Sequence, residues 1–282
     1  MKIGSWLGTV LLALPLTIAA PAFAQDTAVP KASEPNSLTL GLGAAMAPSY
    51  EGSDDYIIVP AGLAFGKVGG FAYYSRATTL YLDLIRDPYD ARVDIAVGPV
   101  ANLRVDRAGR IKDAQVRALG ELDYAIEAGA FAGIALNRVL HEYDTVTARI
   151  SWIHDVTDTH DSFIVTPALE YGTPLSRKAY VGLQLSADYV GEDFAATYYG
   201  VTPAGAAASG LSPFTIDEGW KNVRASLLGS YKLQGDLTTG GLGLFAIASY
   251  SSMLREFKDS PLVSEAGDAD QYFVGGGLTY TF

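Results

Sequence analysis

Apolar and polar residues alternate one by one along most of this chain. Residues 180–189 place Val181, Leu183, Leu185, Ala187 and Tyr189 on one face, against Tyr180, Gly182, Gln184, Ser186 and Asp188. Residues 222–233 set Val223, Ala225, Leu227, Tyr231 and Leu233 against Asn222, Arg224, Ser226, Ser230 and Lys232. The pattern recurs at 121–134, where Leu122, Tyr124, Ile126, Ala128 and Ile134 oppose Glu121, Asp123 and Glu127. It recurs again at 146–152, where Val146, Ala148, Ile150 and Trp152 oppose Thr147, Arg149 and Ser151. A period of two belongs to strands with one apolar face, and in each segment the charges keep to the other face.

Candidate strands lie near 37–47, 56–66, 91–104, 119–135, 142–155, 162–173, 178–190, 220–233, 239–251 and 271–282. These make ten. Residues 69–85 (GGFAYYSRATTLYLDLI) read as a hairpin of 69–75 and 77–85, which makes twelve; one long strand there would leave the two chain ends on opposite sides of a membrane. Several segments exceed the usual ~5–6 residues of a globular strand and suit tilted strands of about 9–11 residues in lipid. The pattern predicts an all-β, antiparallel, up-and-down transmembrane barrel over 37–282, with twelve strands preferred to ten. The competing reading is a soluble sandwich, whose apolar face fills a finite core while its polar face meets water.

Connection lengths predict sidedness. The short turns 65–69, 173–179 and 233–237 face the periplasm, and the longer connections 47–56, 105–118, 191–219 and 252–270 face outward.

Composition supports an envelope protein. Residues 1–24, with Lys2, an apolar run and Ala22-Phe23-Ala24, read as a secretory signal peptide, and 25–36 as a disordered polar linker. No other run is long and apolar enough for a membrane-spanning helix. The chain has no cysteine, so stability in an oxidising compartment comes from elsewhere, and a closed strand ladder supplies it. Its net charge of −11 and lack of a basic face exclude nucleic acid as a partner.

Chemistry is sparse among three histidines. HDVTDTHDS, 154–162, brings His154 and His160 near Asp155, Asp158, Asp161 and Ser162; a metal or nucleophile site is conceivable there, but a polar turn accounts for the residues as well. APSYEGSDDY, 47–56, lacks the terminal bidentate glutamate of a calcium loop. Arg104, Arg107, Arg110, Lys112 and Arg117, against Asp106 and Asp113, form a basic connection suited to lipopolysaccharide phosphates. The expectation is no cofactor, no metal and no catalytic residue. The polar strand faces offer Arg92, Glu121, Asp123, Glu127, Arg149, Glu170, Asp188, Arg224 and Lys232 as lumen charges, a set that predicts a negative lumen favouring cations if it conducts.

Three stretches together resemble the MltA-interacting protein (MipA/OmpV) family of Gram-negative outer-membrane proteins. They are Tyr50-Glu51-Gly52-Ser53-Asp54-Asp55; Tyr198-Tyr199-Gly200-Val201, where the family commonly has phenylalanine at the second place; and Ser260-Pro261-Leu262-Val263. The resemblance implies an outer-membrane barrel without catalytic residues and, from a well-known member, a scaffold joining a lytic transglycosylase to a murein synthase. A small channel or transporter and a surface adhesin are the alternatives. The closing stretch, with Val274, Leu278, Tyr280 and Phe282 on one face, resembles the signal read by barrel-assembly machinery; Tyr280 and Phe282 are expected in the periplasmic aromatic girdle.

Overall fold

The computed structural model describes residues 36–86 and 91–282. The expected signal peptide, 1–24, lies outside the described residues, as does the expected linker except for Asn36, which opens the first strand.

Twelve strands follow in order: β1 Asn36–Pro48, β2 Tyr56–Val68, β3 Phe71–Arg76, β4 Thr79–Leu82, β5 Val93–Arg104, β6 Ala125–Asn137, β7 Thr145–Asp155, β8 Phe163–Pro174, β9 Ala179–Val190, β10 Gly219–Lys232, β11 Gly241–Met253 and β12 Asp270–Thr281. Each pairs antiparallel with its sequence neighbour, and β12 returns to β1, so the sheet closes into a barrel. The closing register runs from Thr39 opposite Thr281 to Met46 opposite Val274. The Phe282 N–H donates to Leu38 O at 2.9 Å, so the ladder continues to the last residue.

The alternation decides which way each face points. Leu42, Ile58, Ile95, Ile150, Leu185, Val274 and Leu278 are exposed on the outer wall, while Glu127, Arg149 and Glu170 are buried inside. A sandwich in water would have the reverse arrangement. Apolar side chains outside and charges inside is the arrangement of a barrel whose solvent is lipid. Aromatic rings mark both rims. Tyr280 and Phe282 meet edge-on at 4.7 Å at one end, and Tyr250–Tyr272 and Tyr189–Trp220 pair at the other.

Short connections gather at the end that carries both strand termini: Gly69-Gly70 and residues 138–144, 175–178 and 233–240. Residues 49–55, 105–124, 191–218 and 254–269 gather at the opposite, outer end. Five helices lie in these outer connections: α1 Ala114–Ala118, α2 Glu192–Tyr199, α3 Pro203–Ser209, α4 Arg255–Asp259 and α5 Pro261–Ser264.

Two departures from the expected elements matter below. β6 begins at Ala125, not near 119, because α1 occupies the preceding segment. The Asp113 carboxylate caps that helix at the Val116 N–H (2.8 Å), and Gly120 turns out of it at φ 96°. Second, the hairpin over 69–85 is low. β1 pairs with β2 along its full length, whereas β3 pairs with β2 only from Phe65 to Val68.

Glycines let the closing seam pack. A Cβ at Gly43 would sit 2.0 Å from the Gly276 carbonyl oxygen and 2.7 Å from the Gly277 Cα. Gly43→Val therefore forces the β1–β12 seam apart. The expected cost is at least ~1–3 kcal/mol, the usual penalty for overpacking. It is read as a lower folded fraction by heat-modifiable gel mobility after refolding into lipid; an unchanged fraction would show that the seam has slack.

Candidate functional site

The outer connections do not stand away from the barrel; they fold into its mouth. Helix α3 starts with Pro203 and is capped by Thr202 Oγ1, which accepts the Gly205 N–H at 3.0 Å; α5 likewise starts with a proline, Pro261. These helices are too short to hold themselves in water, so packing must fix them. Phe194, Ala195, Tyr198 and Tyr199 of α2 are buried with Met253, Phe257 and Val263. Tyr50, Ile111, Val116, Val201, Leu211 and Leu262 form a second cluster beside them.

Polar contacts tie the same pieces. Tyr50 Oη donates to Leu262 O at 3.0 Å and Ala266 O at 2.5 Å, and burial pushes its phenol well above the ordinary range, so it remains a donor. Ser260 Oγ donates to Tyr199 O at 2.6 Å. Gly52, at φ 108°, donates to Gln271 Oε1 (3.3 Å) and accepts from the Asp268 N–H (2.8 Å), while Gln271 Nε2 reaches Ser53 O at 3.0 Å. Ser53 Oγ meets Ser49 Oγ at 3.0 Å and accepts the Asp55 N–H at 3.1 Å; Asp54 is exposed. Gly200 ends α2 and Val201 bridges to Phe214. The three stretches that carry the family resemblance, with Tyr50 and Leu262 at the extremes 212 positions apart, thus meet in one plug.

Below the plug the lumen is lined with ion pairs. Glu170 takes Arg149 at 3.1 Å and Arg76 on its other oxygen. Glu127 takes Arg104 Nε at 2.7 Å, His160 Nε2 at 3.0 Å and Asn102 Nδ2 at 2.5 Å. Glu51 descends from the β1–β2 connection to Lys221 Nζ, at 2.7 and 2.8 Å to its two oxygens, with Arg224 at 3.9 Å and Arg104 at 4.0 Å. Asp188 shares the same cations, lying 3.6 Å from Lys221 and 3.9 Å from Arg224, and accepts Thr166 Oγ1 at 2.7 Å. Burial opposes a charge on Glu51, but Lys221, Arg104 and Arg224 outweigh it and hold the carboxyl below its ordinary range.

These pairs surround a cavity of about 750 Å³. Its charged lining comprises Arg76, Arg104, Arg110, Arg149, Lys221 and Arg224 against Glu51, Asp106, Glu170 and Asp188. The balance is basic, not negative as the sequence suggested. The sign changes because Arg76, Arg104 and Lys221 also turn inward; in addition Glu121 and Asp123 lie exposed on the segment before β6, outside the lumen. Arg92 is also exposed, in the connection before β5, and Lys232 sits at the periplasmic rim, bonded to Thr281 Oγ1 at 2.7 Å. Glu127, Arg149, Glu170, Asp188 and Arg224 do face the lumen.

Sequence reading missed three interior cations. Lys221 turns inward through a β-bulge between Trp220 and Asn222, which breaks the alternation and cannot be read from period two. Arg76 ends the short β3, and Arg104 ends β5; the parity of Asp94, Asn102 and Arg104 did carry the signal for the last. The basic connection after β5 is not a free clamp for phosphates either. Arg107 is buried and donates to Thr197 O at 3.2 Å, and Arg117 donates to Ile111 O at 3.1 Å.

In the 154–162 segment Asp155 organises a turn, accepting the N–H groups of Thr157 (2.8 Å), His160 (2.7 Å) and Asp161 (3.2 Å). His160 then points at Glu127, with its ring edge-on to Phe194 at 5.1 Å. Among the described residues no group of three or more His, Asp or Glu is placed to hold a metal.

The sequence profile described as MltA-interacting protein MipA matches residues 40–282. This chain belongs to the MipA family. MipA membership and the closed twelve-strand architecture place it in the outer membrane as a multi-pass barrel. No curated protein matches it. Similar solved structures include an outer membrane channel of Pseudomonas putida F1, 10% identical over 89% of this chain and 97% of that one, with a TM-score of 0.46. Others are a FadL homologue of Pseudomonas aeruginosa (10% identical over 88% and 89%, TM-score 0.31) and the Ralstonia pickettii toluene transporter TbuX (9% over 88% and 89%, TM-score 0.32). At such distances they say nothing about what this MipA chain does.

Glu51→Gln tests the coupling of plug to lumen. It leaves Lys221 buried with only the shared Asp188, and a broken buried pair costs ~3–5 kcal/mol. The expected result is a lower unfolding temperature and rapid proteolytic cutting within 191–218. The pH dependence has a definite sign: the folded-state pKa of Glu51 is depressed, so its stabilisation is present above the ordinary carboxylate value and is lost as pH falls below about 4. Amide protection in the outer connections, corrected for the intrinsic pH dependence of exchange, should fall on acidification in the wild type and fall less in Glu51→Gln.

Proposed function

We propose that this protein is a non-conducting outer-membrane scaffold that presents its periplasmic turns to murein-processing enzymes. The observation that carries the reading is the interlocked plug: Tyr50, Tyr199, Ser260 and Leu262 join three outer connections over the lumen, and Glu51 anchors them to Lys221. A barrel closed in this way is suited to presenting a fixed surface rather than to passing solutes. The family description, MltA-interacting protein, supports a murein transglycosylase as the partner.

At the periplasmic end the turns are short and internally bonded. Asp144 receives the N–H groups of Val139 (2.7 Å) and Leu140 (2.9 Å), and Arg177 pairs with Asp236 at 2.9 Å across two turns. This fixes Leu140 and Leu175 in an exposed position, at 76% and 68% of their surface. Exposed leucines on rigid turns suit a protein contact better than contact with water.

Two measurements test the proposal. In planar bilayers the wild-type barrel is expected to stay silent at neutral pH across the accessible voltage range; steady ohmic conductance would favour a channel. Leu140→Asp with Leu175→Asp, and separately substitutions in 173–179 or 233–237, are expected to weaken capture of a lytic transglycosylase from solubilised envelopes at least tenfold. Undiminished capture by all of these folded variants would remove the scaffold reading.

A further inference from the structure

The low β3–β4 hairpin leaves part of the wall unpaired. β2 has a strand partner on its β3 side only from Phe65 to Val68, followed by one side-chain bond, from the Ala64 N–H to Ser75 Oγ at 2.9 Å. Backbone groups alternate in direction along a strand, so those of Gly62, Pro60 and Ile58 point to this open side. Pro60 has no N–H to leave orphaned, which is how natural sheets blunt an edge.

The open edge lies at lipid depth. Tyr56 Oη accepts the N–H of Tyr272, whose ring belongs to the outer aromatic girdle. At ~3.4 Å per residue, Ile58 to Gly62 lie up to about 20 Å along the strand from Tyr56, within an apolar band ~25 Å tall. Non-helical backbone at that depth is tolerated only where it borders protein or a polar cavity. Here it borders the lumen: Pro60, Thr78 and Val105, around the gap, line the same cavity as Arg76 and Arg149.

Inside, one feature points to a ligand. Arg76 and Arg149 share the single carboxylate of Glu170, and Arg76 Nε with Arg149 Nε and Nη1 are buried without a hydrogen-bond partner among the described residues. Arg149 is only 5% exposed. Buried guanidinium donors normally find acceptors, and their planar fork matches a carboxylate. Val59 of β2, Leu228 of β10, Ile247 of β11 and Phe273 of β12 add apolar surface to the cavity lining, among the hydroxyls of Ser226, Ser249 and Ser251.

We propose that the lumen binds a single-chain alkyl carboxylate, its head at Arg76 and Arg149 and its tail along Val59, Leu228 and Ile247, loaded sideways from the outer leaflet between β2 and the β3–β4 hairpin. The site is independent of the scaffold role, and its test does not use the transglycosylase.

The probe is radiolabelled dodecanoate, with dodecanol as the uncharged control, measured at pH 8 on the full barrel in phosphatidylcholine nanodiscs, with folding of each variant checked by heat-modifiable mobility. Dodecanoate is expected to bind one per barrel. Arg149→Gln should weaken it at least tenfold, and Glu170→Gln, which leaves both guanidiniums uncompensated, should tighten it several-fold; a merely structural Glu170 would not give the second result. Dodecanol should respond to neither substitution. Pro60→Trp, at the rim of the gap, should slow loading from the bilayer at least tenfold with little change in equilibrium affinity. Absence of saturable dodecanoate binding, or equal binding by wild type and Arg149→Gln, would overturn the site; an unchanged loading rate in Pro60→Trp would overturn the lateral route.

Discussion

Hydrocarbon offers no hydrogen bonds, so every backbone N–H and C=O at membrane depth must be paired within the chain, at a cost of several kcal/mol for each failure. The closed ladder from β1 round to β12 follows from that constraint. Closure fixes which face of each strand meets lipid, and so turns Ile150 and Leu185 outward and Arg149 and Glu170 inward. It also encloses a volume of fixed shape. Charges turned into that volume lose most of their water and must find each other across it.

That requirement explains why the plug and the lumen belong together. The bulge at Trp220 brings Lys221 inward, where wall residues offer it only Asp188, already shared with Arg224. The second carboxylate comes from outside the wall, on the β1–β2 connection, and Glu51 can reach it only if that connection descends into the mouth. Tyr50 and Gly52, on either side of Glu51, are then held by the connection before β12 through Leu262, Ala266 and Asp268. Apolar burial of Tyr198, Tyr199 and Leu262 fixes the same pieces. The arrangement is therefore cooperative: the ion pair orders the connection, and the ordered connection excludes water from the ion pair.

The strands were legible because lipid and lumen impose opposite demands on neighbouring residues, and period two records those demands directly. Interior charges were legible where a strand keeps its parity, as at Glu127, Arg149, Glu170 and Asp188. Parity failed at Lys221, since a bulge is a local backbone event without a composition signal, and it misled at Glu121 and Asp123, where alternation continues by chance through a non-strand segment after α1. The meeting of Tyr50, Tyr199 and Ser260 depends on contacts across the barrel mouth, which no spacing along the chain encodes. Family resemblance marked those residues without giving a reason for them. Their shared position over the lumen supplies it.

Two incomplete features of the wall and the lumen border one cavity. The edge of β2 from Ile58 to Gly62 lacks a neighbouring strand, and Arg76 with Arg149 keep donors without acceptors. Either alone would be a local cost. A longer β3–β4 hairpin would remove the first, and a second carboxylate on β7 or β8 the second, each without changing the fold. Local rules broken together, where simple substitutions would satisfy both, are the mark of a site kept open for something else. The chemistry of the two gaps is complementary: one admits an alkyl chain from lipid, and the other lacks an anion. An alkyl carboxylate satisfies both at once, whereas a water-soluble anion leaves the opening to lipid without a purpose and a neutral lipid leaves Arg76 Nε and Arg149 Nε and Nη1 without an acceptor.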